Sequence, residues 1–171
     1  MFKVSDVPEE ERTALLLAIG RSSLTTHNFP IAALLALFSE RRLEVDADLT
    51  WSEVKQGRYI ESILLGFPLP EILLHAIDPP GLSSRRQYRV LDGNQRVLTL
   101  LRLFGRLEGI PPLVAKEMEI LAHLNRVTLD LSLPLLARIP QSTLRAFIFN
   151  ANHFASPHAD EIVARIKERF Y

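Results

Sequence analysis

Residues 87–105 read QYRVLDGNQRVLTLLRLFG, a run whose hydrophobic pattern changes at its centre. The first part, residues 87–91, has the composition of a short strand. Beyond the Asp-Gly pair, four apolar residues follow the i, i+3, i+4 and i+7 spacing of one helix face: Val97, Leu100, Leu101 and Phe104. The pattern therefore predicts a strand, a turn and a helix in direct succession.

A β-hairpin is the alternative interpretation of this stretch, because Asp-Gly between apolar runs is a strong hairpin signal. The second part is rich in leucine rather than in β-branched residues, and Gly105 is suited to end a helix. These two features favour the helix. In that arrangement Asp92 is predicted to be the helix N-cap, with Gln95 at the capping-box position.

A second helix is predicted upstream, where residues 50–53 (TWSE) form a capping box. Three apolar residues share one face of this helix: Ile60, Ile63 and Leu64. Gly66 is expected to end it, just before two prolines. Strands are predicted on either side, an edge strand at 43–46 and a buried one at 71–77. Residues 78–86 have the composition of a loop.

Helices are also predicted for both ends of the chain. In the N-terminal part, residues 1–42, a capping box begins at Asp6, and a further helix is expected over 31–42. The C-terminal part, residues 111–171, is predicted to be mostly helical. Its helical segments are 112–126, a weaker leucine-rich stretch through Leu136, and 156–170. Residues 147–151 are expected to form a third core strand.

The turn at residues 92–96 (DGNQR) has the residue types of an anion-binding site. The unpaired N–H groups of a first helical turn and the helix dipole both favour negative charge. Gly93 lets the backbone approach a phosphate closely, and Arg96 offers a planar fork of donors. Asn94 and Gln95 add amide groups. The competing interpretation is a capped helix with an exposed arginine, which needs no ligand.

Composition excludes several classes of protein. Twenty Lys and Arg balance twenty Asp and Glu, so the chain as a whole is not a strongly basic nucleic-acid binder. The absence of cysteine excludes disulfides, thiolate metal sites and cysteine nucleophiles. The five histidines are scattered and form no metal-binding pair. No signal peptide and no apolar run near the ~20 residues of a membrane span are evident, so we expect a cytoplasmic protein.

Two motifs, in order along the chain, resemble those of one known family. The first is WSEVKQGRYIESILLGFPLP at 51–70, and the second is YRVLDGNQR at 88–96. Together they resemble the N-terminal domain of GmrSD-type restriction endonucleases, whose signature is Asp-Gly-Gln-Gln-Arg. The resemblance implies an α+β fold of the ParB/sulfiredoxin-like kind, a small mixed sheet covered by several helices. It also implies a single domain over residues 1–171, with the motif-bearing core at 43–110.

The resemblance implies a function as well. Members of the family belong to bacterial anti-phage systems that act on modified DNA, and the signature-bearing domain is associated with binding and hydrolysis of nucleoside triphosphates. By this resemblance Asp92 and Arg96 are the catalytic candidates, with Mg²⁺ bridging to the triphosphate. The implied nucleotide-binding residues are Lys55, Gly93, Asn94, Gln95 and Arg96. The implied partners are a nucleoside triphosphate, DNA and a separate nuclease subunit.

The sequence also departs from the family pattern. Relatives carry a Gln-Arg pair just before the tryptophan, where this chain has DADLT at 46–50, and Asn94 stands where glutamine is usual. Sulfiredoxin chemistry needs a cysteine and is excluded. These departures keep open a second interpretation, a non-catalytic module that binds DNA or a partner protein. The candidate DNA contacts are Arg85, Arg86 and Arg89. Lys55 and Glu61, on the predicted helix before the turn, are either supporting residues of the site or solvated charges.

Overall fold

The computed structural model describes residues 22–77, 86–129 and 132–151, which form an α+β fold. The strands in these ranges are β1 (Ser22–Pro30), β2 (Leu43–Glu44), β3 (Ile72–Ile77), β4 (Gln87–Asp92), β5 (Leu113–Val114), β6 (Thr128–Leu129) and β7 (Thr143–Ala151). Five of them form a mixed sheet in the order β1-β7-β3-β4-β2, and β5 pairs with β6 separately. The predicted α+β class with a small mixed sheet is confirmed, and the likeness to a ParB fold stays a prediction.

Helices cover this sheet within the described ranges. They are α1 (Ile31–Ser39), α2 (Glu53–Leu64), α3 (Asn94–Leu103) and two 3-10 helices, Ala122–Leu124 and Pro134–Gln141. The predicted apolar faces of α2 and α3 both enter the main hydrophobic core. Five of their residues are buried, Ile60, Ile63, Val97, Leu100 and Leu101, and two are partly buried, Leu64 and Phe104. The sequence periodicity therefore identified the packed side of both helices correctly.

The transition from β4 to α3 is the strand–turn–helix that the sequence favoured, so the hairpin alternative is wrong. Gly93 lies between the two elements with φ of 89°, a left-handed conformation that glycine adopts without strain. A side chain at this position would also collide with Ile72, whose Cγ2 atom would lie 2.5 Å from the added Cβ. The glycine is therefore needed for the turn itself, with or without a ligand.

Helix α2 begins two residues later than the capping-box prediction placed it. Ser52, not Thr50, is the N-cap, and its side chain accepts a hydrogen bond from the Lys55 backbone N–H. Glu53 is consequently the first helical residue and does not close a capping box. At the other end, Gly66 adopts φ of 71° just beyond the helix, as expected of a glycine that ends one.

The N-terminal part was predicted to be helical, but a strand interrupts it. Residues 22–30 form β1, which pairs antiparallel with β7 along its whole length, from Ser22 opposite Ala151 to Pro30 opposite Thr143. Two β-branched threonines lie in this strand, but it lacks a clear apolar alternation. The tertiary pairing with β7 therefore decides its conformation. The helix predicted for 31–42 is confirmed as α1, although it ends at Ser39.

The helix predicted over residues 112–126 is wrong. The segment instead contains β5, a 3-10 turn and irregular backbone, with Glu117 and Arg126 at positive φ. Asn125 holds the loop closed, because its side chain accepts from the Met118 N–H at 2.8 Å and donates to the Met118 carbonyl at 3.1 Å. The expected core strand at 147–151 is confirmed and is longer, beginning at Thr143.

The edge and core strands predicted in the middle of the chain are confirmed as β2, β3 and β4. The short strand β2 lies at one edge of the sheet and runs parallel to β4, while β3 lies between β4 and β7. The helix at Asp6, the loop through residue 85 and the helix at 156–170 lie outside the described residues. Within the described part of the chain, no helix is long and apolar enough to cross a membrane.

Candidate functional site

A pocket of about 290 Å³ opens where β4 ends and α3 begins. Its lining residues come from this junction and from the segment that precedes α2: Ala47, Trp51, Asp92, Gly93, Asn94, Gln95 and Arg96. All five residues of the predicted turn site thus line one pocket. A larger hollow of about 350 Å³ lies around Phe67 and Arg145 and contains none of the predicted site residues.

The first turn of α3 faces this pocket without a side-chain cap. Gly93 is the N-cap and has no side chain with which to accept from the first helical N–H groups. The prediction that Asp92 caps the helix is wrong, because its carboxylate pairs instead with Arg96 at 2.9 Å. The N–H groups and the positive end of the helix dipole remain available to an anion.

Arg96 is held in place by only part of its guanidinium group. Its Nη2 atom donates to the Glu71 carbonyl and to the Asp92 carboxylate, both at 2.9 Å. The side chain is 12% exposed, yet its Nε atom is buried and has no hydrogen-bond partner among the described residues. A buried donor without an acceptor is costly, about 1–3 kcal/mol, and such groups are rare in folded proteins. The arginine therefore has binding capacity that the protein's own groups do not use.

Asn94 presents a second buried polar atom of the same kind. Its Oδ1 atom has no partner among the described residues, although the residue lines the pocket. A donor and an acceptor thus lie unsatisfied within one turn of helix. This combination fits a polar ligand better than it fits an apolar one.

Gln95 uses its side chain in a different way from its neighbours. Its Oε1 atom accepts from the backbone N–H groups of Thr50 and Trp51, at 2.8 and 3.0 Å. Its Nε2 atom donates to the Asp48 carbonyl at 2.7 Å. The predicted capping-box role is therefore wrong, since the amide fastens residues 48–51 to the start of α3. A contact between Gln95 and a ligand stays a prediction.

Trp51 forms the aromatic wall of the pocket, and Lys55 lies beside it. The Lys55 ammonium is 4.7 Å from the centroid of the indole ring, a cation–π contact. Lys55 is exposed and does not itself line the pocket. Trp51 and Ala47 were absent from the predicted site residues. The tryptophan had a recognisable signal, since it is the single tryptophan of the chain and directly precedes the cap of α2.

Glu61 supports the fold rather than the pocket. Its carboxylate accepts hydrogen bonds from three consecutive backbone N–H groups, those of Glu119, Ile120 and Leu121, at 3.2, 2.8 and 2.6 Å. Burial raises the pKa of Glu61, but these hydrogen bonds outweigh it and hold the pKa below its usual range. The residue fixes the irregular segment that replaces the predicted C-terminal helix.

The candidate DNA-contacting arginines are distributed over an exposed edge. Arg89 pairs with Glu44 at 3.0 Å, and Arg86 is exposed near it, while Arg85 lies outside the described residues. The pairing neutralises part of the positive charge that a DNA contact would use. Among the residues described, no group of three His, Asp or Glu side chains is arranged to hold a metal ion.

Comparison with known proteins identifies the family of this chain. No curated protein and no solved structure matches the chain. The family model described as the GmrSD restriction endonuclease, N-terminal domain, matches residues 48–167, which is more than half of the chain. The matched range contains both the motif that begins at Trp51 and the turn at 92–96. The chain therefore belongs to the family of GmrSD restriction endonuclease N-terminal domains.

Proposed function

We propose that this restriction-system module binds a nucleoside triphosphate, with the phosphates at the pocket formed by residues 92–96. The observation that supports this most directly is Arg96, whose buried Nε donor has no partner while its Nη2 atom holds the side chain at the pocket. A phosphate oxygen supplies the missing acceptor. The planar guanidinium group of arginine matches the oxygens of a phosphate group well.

The backbone adds to the same binding site. The uncapped N–H groups of α3 and the dipole of a ten-residue helix favour a negative group at this end. Gly93 keeps the entrance of the turn free of a side chain. An anion at this position therefore meets backbone donors and a guanidinium group at the same time.

Asp92 is the reason why the proposed site would need a cation together with the nucleotide. Its carboxylate lines the pocket and would repel a triphosphate, unless a cation lies between them. Mg²⁺ typically keeps several water ligands and binds through one or two carboxylates together with substrate phosphates. One carboxylate lining the pocket, that of Asp92, fits that mode of binding, and it would not fit a metal held by protein ligands alone. Mg²⁺ would neutralise the phosphates and link them to Asp92.

The size of the pocket supports binding of one part of the nucleotide only. Pockets that enclose a whole drug-sized ligand span roughly 300–1,000 Å³, so about 290 Å³ suits the phosphate end of a nucleotide rather than all of it. The remaining parts would extend along Trp51. Lys55, above the indole ring, is placed to approach the outer phosphates or the sugar.

Calorimetric titration of ATP, GTP, CTP and UTP with Mg²⁺ into the wild type and Arg96→Ala tests the proposal. We expect at least one nucleotide to bind the wild type, and Arg96→Ala to weaken that binding about a hundredfold, the loss typical of charged hydrogen bonds. Arg106→Ala is the matched control, because Arg106 is exposed just beyond α3 and does not line the pocket. It should bind as the wild type does.

Phosphate release on the same samples separates a nucleotide hydrolase from a binding module. Release that depends on Mg²⁺ and disappears in Arg96→Ala would assign hydrolysis to this pocket. Binding without release would favour the non-catalytic alternative. If no nucleotide binds a folded wild-type protein, the proposal is wrong.

A further inference from the structure

Tyr59 is a buried tyrosine whose hydroxyl group has no hydrogen-bond partner in the described part of the chain. The residue belongs to α2 and is 7% exposed. Its hydroxyl oxygen is buried and, among the described residues, neither donates nor accepts a hydrogen bond. Buried tyrosine hydroxyls usually find a partner, so this one needs an explanation.

Packing does not explain the hydroxyl group. The Tyr59 ring lies edge-to-face against Trp51, with centroids 5.8 Å apart. A phenylalanine would make the same ring contact without burying an unpaired oxygen. The hydroxyl therefore costs stability and gains no hydrogen bond among the described residues.

The position of Tyr59 links it to the pocket. The residue does not line the pocket, but it contacts Trp51, which does, and it lies within electrostatic range of Arg96. Burial raises the pKa of Tyr59 strongly, and the Arg96 charge offsets only part of that rise. Like an ordinary tyrosine, the phenol is protonated at neutral pH, so its O–H could serve as a hydrogen-bond donor.

Two buried donors without a partner among the described residues thus belong to residues linked with this pocket: the Nε–H of Arg96, which lines it, and the O–H of Tyr59, which contacts the lining residue Trp51. We infer that Tyr59 is a phosphate-binding residue, which donates together with Arg96 to an oxygen of the bound phosphate group, through at most one bridging water molecule. This inference rests on the proposed function, and it adds a residue of α2 to a site that otherwise consists of the α3 turn and its flanking loop.

Tyr59→Phe separates this role from a structural one, because the variant keeps the ring and removes only the hydroxyl. We expect its melting temperature to equal or exceed that of the wild type, since an unpaired buried group is lost. We also expect its Kd for the Mg²⁺–nucleotide complex to rise about tenfold or more, the loss of a hydrogen bond to a charged group. Tyr88→Phe is the matched control, because Tyr88 is half-buried on β4 and does not line the pocket.

Inorganic tripolyphosphate with Mg²⁺ shows whether the contact belongs to the phosphates. Its Kd should rise by the same factor as that of the nucleotide in Tyr59→Phe. A change for the nucleotide alone would place the hydroxyl at the sugar or base and overturn the phosphate assignment.

Three further results would overturn the inference. Equal nucleotide affinity in the wild type and Tyr59→Phe would remove Tyr59 from the site and leave the proposed function intact. A lower melting temperature in Tyr59→Phe would show that the hydroxyl has a structural partner. Absence of nucleotide binding by the wild type would end the proposed function and this inference together.

Discussion

Helix α3 contains two arginines, Arg96 in its first turn and Arg102 in its last, with opposite patterns of hydrogen bonding. Each of the three guanidinium nitrogens of Arg102 donates at least one hydrogen bond. Its Nε and Nη2 atoms donate to the carbonyls of Pro111 and Pro112, at 2.9 and 3.2 Å. Its other donations reach Gln56 at 3.1 Å and Glu53 at 2.9 Å. Arg96 has two partners for one nitrogen atom and none for its buried Nε.

This difference is the reason why we propose Arg96, and not Arg102, as a ligand-binding arginine. Arg102 joins α2, α3 and the segment before β5 through groups that the protein supplies itself, so no ligand is required. Arg96 is nearly as well buried, but its Nε atom has no acceptor among the described residues, so a ligand could complete its hydrogen bonding. Burial alone would have assigned both residues the same role.

The largest expected effect is on stability and comes from Arg102→Ala. The change leaves three acceptors without this donor, namely the carbonyls of Pro111 and Pro112 and the Oε1 atom of the buried Gln56. We expect a loss of about 2–4 kcal/mol in the free energy of unfolding. The loss is moderated because Glu53 keeps its ion pair with Lys116, at 2.6 Å. Urea unfolding followed by circular dichroism measures it.

Arg96→Ala gives the contrast within the same helix. We expect it to lower the free energy of unfolding by about 1–2 kcal/mol, because it leaves one backbone carbonyl, that of Glu71, without this donor, while one buried unpaired donor disappears with the side chain. A loss as large as that of Arg102→Ala would contradict the division into structural and ligand-binding arginines. Arg106→Ala, the exposed control, should stay within about 0.5 kcal/mol of the wild type.

Gln95→Ala is expected to have an intermediate effect on both stability and binding. It leaves the N–H groups of Thr50 and Trp51 without their acceptor, at a cost of about 1–2 kcal/mol, and it loosens the wall of the pocket. Trp51 is the single tryptophan, so its fluorescence and its quenching by acrylamide report directly on residues 48–51. We expect greater quenching and about tenfold weaker nucleotide binding.

Gln141→Ala controls for the loss of an exposed glutamine, since Gln141 lies at the end of a 3-10 helix away from the pocket. Its fluorescence quenching should match the wild type. Unchanged quenching in Gln95→Ala would mean that the amide does not hold the loop in solution.

The local parts of this site were predictable from sequence, while the long-range parts were not. A strand, a glycine turn and a helix with one apolar face are all specified within residues 87–105, so the position of Arg96 followed from nearby residues. The walls of the pocket come from residues 47–51, whose attachment depends on three hydrogen bonds to Gln95. The capping-box pattern predicted that the Gln95 side chain bonds within its own helix. Sequence spacing cannot identify hydrogen-bond partners that lie more than forty residues away.

The same reasoning explains the errors in the fold. Strand β1 has little strand pattern of its own and depends on pairing with β7, which begins more than a hundred residues later. Residues 112–126 resemble a helix in composition, but Glu61 and Asn125 fix their backbone in an irregular path. In both cases distant partners override local propensity.

The smallest expected effect concerns Asp92, the partner of Arg96. Asp92→Asn removes a negative charge from the pocket and releases Arg96 from its ion pair, at a cost below about 1 kcal/mol in stability. If Asp92 shares Mg²⁺ with the phosphates, the wild type should bind nucleotide more tightly with Mg²⁺ than with EDTA. Asp92→Asn should reduce that ratio about three- to tenfold, mainly by binding better in EDTA, where the repulsion is gone.

Asp46→Asn is the charge-matched control, because Asp46 is exposed near the pocket but does not line it. It removes one negative charge, as Asp92→Asn does, and should keep the wild-type ratio. Equal ratios in all three proteins would show that Asp92 does not interact with the cation. A reduced ratio in both variants would show that general charge matters rather than a carboxylate at this position. A change confined to Asp92→Asn would support a cation beside Asp92. The Asp92 carboxylate would then leave its ion pair with Arg96 for the cation, and the Arg96 guanidinium would bind the phosphate. Arg102 would not rearrange in this way, because its hydrogen-bond acceptors belong to the protein itself.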